Sequence, residues 1–314
     1  MQFIKGHGTG NDFVILPDPD GQLPLTPDLV AALCDRRRGI GADGVLRVVR
    51  AQRHPAAVGM AASAEWFMDY WNADGSFAEM CGNGVRVFTR YLITAGLAVP
   101  PTTTDAGVSG GPGVSGGTDV SGGAAVGGGA AVGGGVGLPI ATRAGVVHAV
   151  VRGQDIAVYM RMPRIGGASD AVLGGRSLPG TVVDCGNPHL VCVLPDGVGL
   201  PELDLTRMPV VDSVVFPAGV NVEFITEGKP VDGADLHVDM RVYERGSAET
   251  MSCGSGACAV AAVALRDAGL AAGVVAVDVP GGRLTITLDA ESCWLSGPAV
   301  LVAHGEVDLP ALSG

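Results

Sequence analysis

Long apolar runs are missing from this chain of 314 residues. No stretch reaches the roughly 18 apolar residues that a membrane-spanning helix needs. The longest candidate, Ala257 to Leu265, is cut off by Arg266 and Asp267 and reads as a core helix. The opening Met1-Gln2-Phe3-Ile4-Lys5-Gly6-His7 has no basic region followed by an apolar one, so no signal peptide is expected. Lysine is nearly absent: Lys5 and Lys229 stand beside 18 arginines, and the net charge is −12. The arginines are scattered, which excludes the basic stripe of a nucleic-acid binder. The seven cysteines include no Cys-x-x-Cys pair, which opposes a disulfide framework. Free thiols in a reducing cytoplasm are the expectation.

What is present is a globular composition, 47% hydrophobic and 17% charged, on a chain long enough for two domains. Met1 to Ile15 reads as strand, glycine-rich turn and strand. Thr26-Pro27-Asp28 opens a helix with a capping hydroxyl, a proline at the first position and an acid in the first turn. Its last turn is expected to hold Arg36, Arg37 and Arg38, with Gly39 as the stop. Strand-like runs follow at 45–49 and 66–71, then a helix from Gly84 to Ala95 with Val85, Phe88 and Leu92 at helical spacing. Further strands are expected at 146–151, 156–160, 191–194, 222–225, 236–242, 274–277, 284–288 and 300–302, with a second buried helix at 257–268. Strands outnumber helices, which points to an α+β fold.

Residues 106–137 interrupt this pattern. Fifteen of these 32 positions are glycine, and Asp119 is the only charge. Ordering so many glycines costs backbone entropy that absent side chains cannot recover, so the segment reads as a flexible insert.

The chemistry is announced by a near-repeat. Ala78-Glu79-Met80-Cys81-Gly82-Asn83-Gly84 and Ala248-Glu249-Thr250-Met251-Ser252-Cys253-Gly254-Ser255-Gly256 each set a cysteine before Gly-polar-Gly, and each leads into an apolar helix. One copy alone is ordinarily a tight turn with a small buried cysteine. Two copies suggest two related halves, each supplying one thiol. Free N–H groups and the positive dipole end at a helix N-terminus attract a carboxylate and favour thiolate, so a thiol pKa below about 8.5 is expected. Two such helices facing one another would hold an amino acid's carboxylate between them and place a thiol on each face of its α-carbon. That arrangement suits racemisation by two bases.

Other chemistries lack their parts. Pyridoxal phosphate needs a Schiff-base lysine, and neither Lys5 nor Lys229 has a glycine-rich phosphate cup beside it. Gly39-Ile40-Gly41-Ala42-Asp43-Gly44 matches a dinucleotide-binding string, but a helix precedes it and a strand follows, the reverse of what that site requires. Cys185 and His189 have no second ligand pair for zinc. Cys34, Cys192, Cys258 and Cys293 lie in apolar or helical runs and read as packing residues. Asn11, Asn72, Asn187 and Asn221, at turns and strand edges, each have a local backbone role as the simplest reading.

With these segments in view the chain resembles the diaminopimelate epimerase family over nearly its whole length. The resemblance rests on His7-Gly8-Thr9-Gly10-Asn11-Asp12-Phe13, Gly39 to Gly44, Asn72-Ala73-Asp74-Gly75 with Glu79 to Gly84, Gly186-Asn187-Pro188-His189, Asn221-Val222-Glu223-Phe224, and Glu244-Arg245-Gly246 with Cys253 to Cys258. It implies cofactor-independent, metal-free conversion of LL-2,6-diaminopimelate to the meso isomer, in lysine and peptidoglycan precursor synthesis. It also implies two pseudo-symmetric domains, each a mixed β-sheet wrapped around a central helix. The halves are drawn as 1–140 with a returning C-terminal strand 298–314, and 141–297. Carried over by position, Cys81 and Cys253 are the acid–base pair. Gly82, Asn83, Gly254 and Ser255 meet the reacting carboxylate, while Asn11, Asn72, Asn187, Asn221, Glu244 and Arg245 hold the rest of the substrate. His189 and Glu244 tune the thiols. A cytoplasmic homodimer acting on a small molecule, with no nucleic-acid or membrane partner, completes the expectation. Ser255 stands where threonine is commoner in the family.

Three rivals use some of the same features. A proline or hydroxyproline racemase would share the paired thiols but has no distal amino-acid centre to engage Arg245 and four asparagines. An amino-acid binding protein would have no need of both cysteines. A thiol redox enzyme would cycle them as a disulfide.

Overall fold

The computed structural model describes residues 1–99 and 137–313. Strands Gln2–Gly8 and Asn11–Pro17 form its first hairpin. The two turn residues, Thr9 (φ 49°) and Gly10 (φ 79°), are both left-handed, as a two-residue type I′ turn requires. For the β-branched Thr9 that backbone is strained.

Helix α1 (Pro27–Cys34) begins as its sequence suggests, with the Thr26 hydroxyl accepting the Leu29 N–H at 3.3 Å. It ends sooner than expected. Asp35 is the C-cap, and its carboxylate accepts the N–H groups of Arg37 at 2.8 Å and Arg38 at 2.9 Å. That local bonding competes with a further helical turn. The three arginines therefore lie beyond the helix, and Arg36 pairs with Asp12 and Asp43 instead.

The strands fall into two sets with one pairing pattern. The first runs Val300–Glu306, Gln2–Gly8, Asn11–Pro17, Gly44–Arg50, Trp66–Asn72, Leu138–Thr142, Gly145–Arg152, Asp155–Met160. The second runs Arg164–Leu173, Arg176–Asp184, Pro188–Val193, Asn221–Glu227, Leu236–Glu244, Gly273–Val279, Gly282–Leu288, Cys293–Pro298. In both, only the third and fifth junctions are parallel. The last strands of the sets, Asp155–Met160 and Cys293–Pro298, pair with each other antiparallel and join the halves. The pseudo-symmetry inferred from the cysteine repeat is thus a symmetry of the whole sheet.

A division at residue 140 would separate Leu138–Thr142 from Gly145–Arg152, with which it pairs along its length. The strand order puts the change of half after Met160. The C-terminal strand Val300–Glu306 lies against Gln2–Gly8 of the first half.

Each half wraps its sheet around one helix, α2 (Gly82–Thr94) in the first and α3 (Gly254–Asp267) in the second. Val85, Phe88 and Leu92 of α2 are fully buried, each removal from water contributing about 1.5–3 kcal/mol. α3 is apolar on every face, and Ala257 through Val263 are all buried.

The hairpin Arg164–Leu173 with Arg176–Asp184 was not legible in the sequence, because most of its first strand is exposed and alternates weakly. Its Gly174-Gly175 turn, with φ 59° and 83°, was the available signal. Apart from Gly137, the glycine-rich segment 106–137 lies outside the described residues. The chain leaves α2 toward it at the helix end remote from Cys81, about 20 Å away at 1.5 Å rise per residue.

Candidate active site

Cys81 and Cys253 occupy equivalent places, each the extended N-cap residue of its half's central helix. The Cys81 Sγ accepts the Gly84 N–H at 3.4 Å, and the Cys253 Sγ lies 3.7 Å from the Ser255 hydroxyl. The two helix N-termini abut. A Cβ placed on Gly254 would lie 2.9 Å from Leu295 Cδ2 and 3.7 Å from the Gly82 Cα, so glycine permits the approach. Gly82 and Asn83 begin α2, and Gly254 and Ser255 begin α3, where N–H groups have no acceptor within the helix. The outcome is two N–H clusters brought together with a thiol beside each, and the space before them suits a carboxylate and its neighbouring carbon.

Asn11 closes this space on the first half. Its Oδ1 lies 3.6 Å from Cys81 Sγ and 3.3 Å from Asn83 Nδ2. Its Nδ2 donates to Asp43 at 2.8 Å, and a carboxylate can only accept, which fixes the amide's orientation. Arg36 in turn holds both Asp43 and Asp12, each at 2.7 Å. Burial would raise the Asp12 carboxyl, but hydrogen bonds from Arg36 and Lys5 hold it well below the usual carboxylate range.

On the second half, Glu244 accepts the Thr250 hydroxyl, and its charge acts on the Cys253 thiol. His189 is fully buried, with Nδ1 2.7 Å from Glu223 and Nε2 3.1 Å from the Asn187 side-chain oxygen. Both ring nitrogens are engaged, which leaves none for the Cys185–His189 metal site considered from sequence. Asn221 Oδ1 accepts the Arg245 main-chain N–H at 2.9 Å. The Arg245 guanidinium is exposed, donates to the Ala218 carbonyl at 3.2 Å, and has no ion-pair partner among the described residues. Asn72 donates to the Ser76 hydroxyl at 3.0 Å within its own turn, and no contact brings it to either thiol. Elsewhere, His237, Asp239 and Asp278 cluster with metal-ligand spacing, but Asp278 already pairs with Arg283 at 2.6 Å.

The expectation of acidified thiols is overturned. Burial pushes Cys81 up to about 11 and Cys253 well above its ordinary value. Helix N–H groups do act in the lowering direction, those of Gly84 and Asn83 on Cys81 and that of Gly256 on Cys253. Desolvation outweighs them, and the negative charge of Glu244 adds to it at both thiols. Glu244 itself is raised by burial. His189 lowers both Glu223 and Glu244, the two carboxylates whose charge raises Cys253. In the ligand-free protein, alkylation of Cys81 by iodoacetamide should therefore keep accelerating with pH toward about 11. A plateau near the ordinary thiol value of about 8.5, followed by peptide mapping, would contradict this balance.

Several residues that back the site have no role assigned from sequence. Glu223 is fully buried beneath α3, its Oε1 2.5 Å from where a Gly256 Cβ would lie. Two-residue strand periodicity from Asn221 was the signal that it faces the same way. Tyr70, Thr9, Arg86 and Ser252 are likewise buried near the thiols; Thr9 and Ser252 lie inside sequence motifs that gave them no role, and Tyr70 and Arg86 lie in none.

The sequence profile of the diaminopimelate epimerase family matches residues 3–131 and 181–309. A diaminopimelate epimerase from Mycolicibacterium smegmatis is 45% identical over 321 aligned positions, covering 98% of this chain and 97% of that protein. One from Thermobifida fusca is 46% identical, covering 99% of this chain and all of that protein. Among solved structures, a phenazine biosynthesis protein of the PhzF family from Bacillus anthracis superposes with a TM-score of 0.63 at 16% identity, covering 98% of each chain. A hydroxyproline epimerase from Agrobacterium vitis, with bound trans-4-hydroxy-L-proline, gives 0.59 at 15% identity, covering 97% of this chain and 91% of that one. Those two likenesses are of fold alone. The profile match and the near-full-length identities, on a fold whose two halves each present a thiol at a helix N-terminus, show that the chain belongs to the diaminopimelate epimerase family.

Proposed function

We propose that this chain converts LL-2,6-diaminopimelate to the meso isomer by passing a proton between two cysteines. The observation that carries this reading is the pair of thiols at abutting helix N-termini. The substrate carboxylate sits on the N–H groups of Gly82, Asn83, Gly254 and Ser255. One cysteine, as thiolate, takes the α-proton. The C–H electron pair spreads into the carboxylate, where the fixed N–H donors stabilise the growing charge. The opposite thiol then gives its proton to the other face, inverting the centre, and is left as the new thiolate. Net charge on the pair is unchanged by a turnover, and the reverse reaction uses the same two groups with roles exchanged.

Thiols raised by burial suit this cycle. A more basic thiolate is a better match to a weakly acidic α-proton, and the burial that raises the thiols also strengthens the N–H dipoles beside them. Glu244, beside Cys253, tunes that thiol. Arg245 and Asn72, Asn187 and Asn221 receive the distal amino-acid centre. This reading carries with it a cytoplasmic location and a homodimer. Strand Val300–Glu306 pairs only with Gln2–Gly8 among the described residues, and its exposed Val300 and Val302 offer an edge for a second copy.

The test is incubation of purified protein with LL-diaminopimelate alone, followed by chiral chromatography. Meso product should form without added pyridoxal phosphate or metal. Conversion of proline or hydroxyproline, with diaminopimelate untouched, would favour the rival racemase.

A further inference from the structure

We infer that Thr9 is a positioning residue which, through Arg86 and Ser252, latches one cysteine's helix to the other's loop and sets the distance between the two thiols. Arg86 of α2 donates from Nη2 to the Thr9 hydroxyl at 3.1 Å, and that hydroxyl donates to the Ser252 hydroxyl at 2.7 Å. Asn83 completes the circuit by donating to the Ser252 carbonyl at 3.1 Å. Asn83 follows Cys81 by two positions, and Ser252 directly precedes Cys253. All four residues are at most 2% exposed.

Two features make this more than ordinary packing. Thr9 holds a left-handed backbone, φ 49°, at which a glycine would be unstrained. The strain is retained where the side chain makes a bond that glycine could not make. Its carbonyl is also pressed against the second half: a Cβ on Gly281 would lie 1.7 Å from the Thr9 oxygen. Second, the Arg86 guanidinium is fully buried with Nε and Nη1 unpartnered among the described residues. Burial draws it down to about 10, so it is still a cation at neutral pH. The groups that act on it are Cys81 on its own helix, Cys258 on α3 and Asp155 on the strand Asp155–Met160. A charge kept there with one hydrogen bond is expensive for stability alone.

The inference rests on the two-thiol reading. Inversion needs both sulfurs at proton-transfer distance from one carbon, and a shift of about 1 Å can slow such a step on the order of 100-fold. A one-base reaction on the same substrate frame has no such demand. With 3-fluoro-2,6-diaminopimelate, a single thiolate removes the α-proton, its electron pair forms a C=C bond, and the C–F bond breaks to release fluoride.

Thr9→Val keeps the β-branch and removes only the hydroxyl. Ser252→Ala is milder, since Thr9 still accepts from Arg86 and Asn83 still reaches the main chain. In either variant, epimerisation kcat should fall on the order of 10- to 100-fold, with KM and fluoride release within about threefold of wild type. The double variant should be no worse than Thr9→Val alone, because that variant already removes the Thr9–Ser252 bond that Ser252→Ala removes. Equal losses of epimerisation and fluoride release, or wild-type epimerisation in Ser252→Ala, would overturn the latch. Wild-type protein that performs neither reaction would instead overturn the epimerase reading.

Discussion

Replacing either Cys81 or Cys253 by alanine should abolish epimerisation while leaving the protein folded and able to bind diaminopimelate. Each half presents one thiol at its helix N-terminus, so each variant leaves one face of the α-carbon without a proton carrier. General acid–base groups contribute roughly 10²–10⁴-fold in rate, and no neighbouring side chain can substitute geometrically. Asn11 Oδ1, 3.6 Å from Cys81 Sγ, is only an acceptor and far too weak a base. Glu244 contacts Cys253 but is already engaged by Thr250. The expected loss is therefore at least about 10³-fold in kcat for both variants, with ligand binding retained through the N–H clusters. Kinetics together with calorimetric binding would check this. A variant keeping more than about a tenth of wild-type turnover would show that its cysteine is not a proton carrier.

Arg245→Ala should weaken kcat/KM for diaminopimelate by about 2–5 kcal/mol, because the distal carboxylate of the proposed complex loses its bidentate cation. The bland alternative is that Arg245 merely pairs with Glu244. In the structure Glu244 faces Thr250 and Cys253, and among the described residues the Arg245 guanidinium has one hydrogen bond, to the Ala218 carbonyl at 3.2 Å. Its link to Asn221 is made by the main chain and survives substitution. The melting temperature should hence stay within about 2 °C of wild type, as for other exposed positions. Arg245→Lys should recover only part of the loss, since an ammonium cannot present two parallel donors. A fall in melting temperature with unchanged kinetic constants would assign Arg245 to the scaffold.

The legible part of this molecule was what repeats locally. Cysteine before Gly-polar-Gly and an apolar helix could be read twice, and two copies carried the pseudo-symmetry that the strand pairing then displays in full. Helix spacing at Val85, Phe88 and Leu92 identified the buried face of α2. Illegible were features that depend on residues distant in the chain. The Thr9–Ser252 bond joins positions 243 apart, and no local pattern announces it. The hairpin after Arg164 has a solvent-facing strand, so it lacks the alternation by which strands are recognised. The error over thiol acidity has a related cause. A helix N-terminus can be read from sequence, but the depth at which it lies cannot, and depth decided the sign.

The division of labour between the thiols is tested most directly by epimerisation of LL-diaminopimelate in deuterium oxide, stopped at a few per cent conversion. With one proton carrier on each face, the inverted product should carry deuterium at its new α-position while recovered LL substrate remains nearly unlabelled. Equal early labelling of substrate and product would mean that a single base serves both faces, and the two-cysteine account would be wrong.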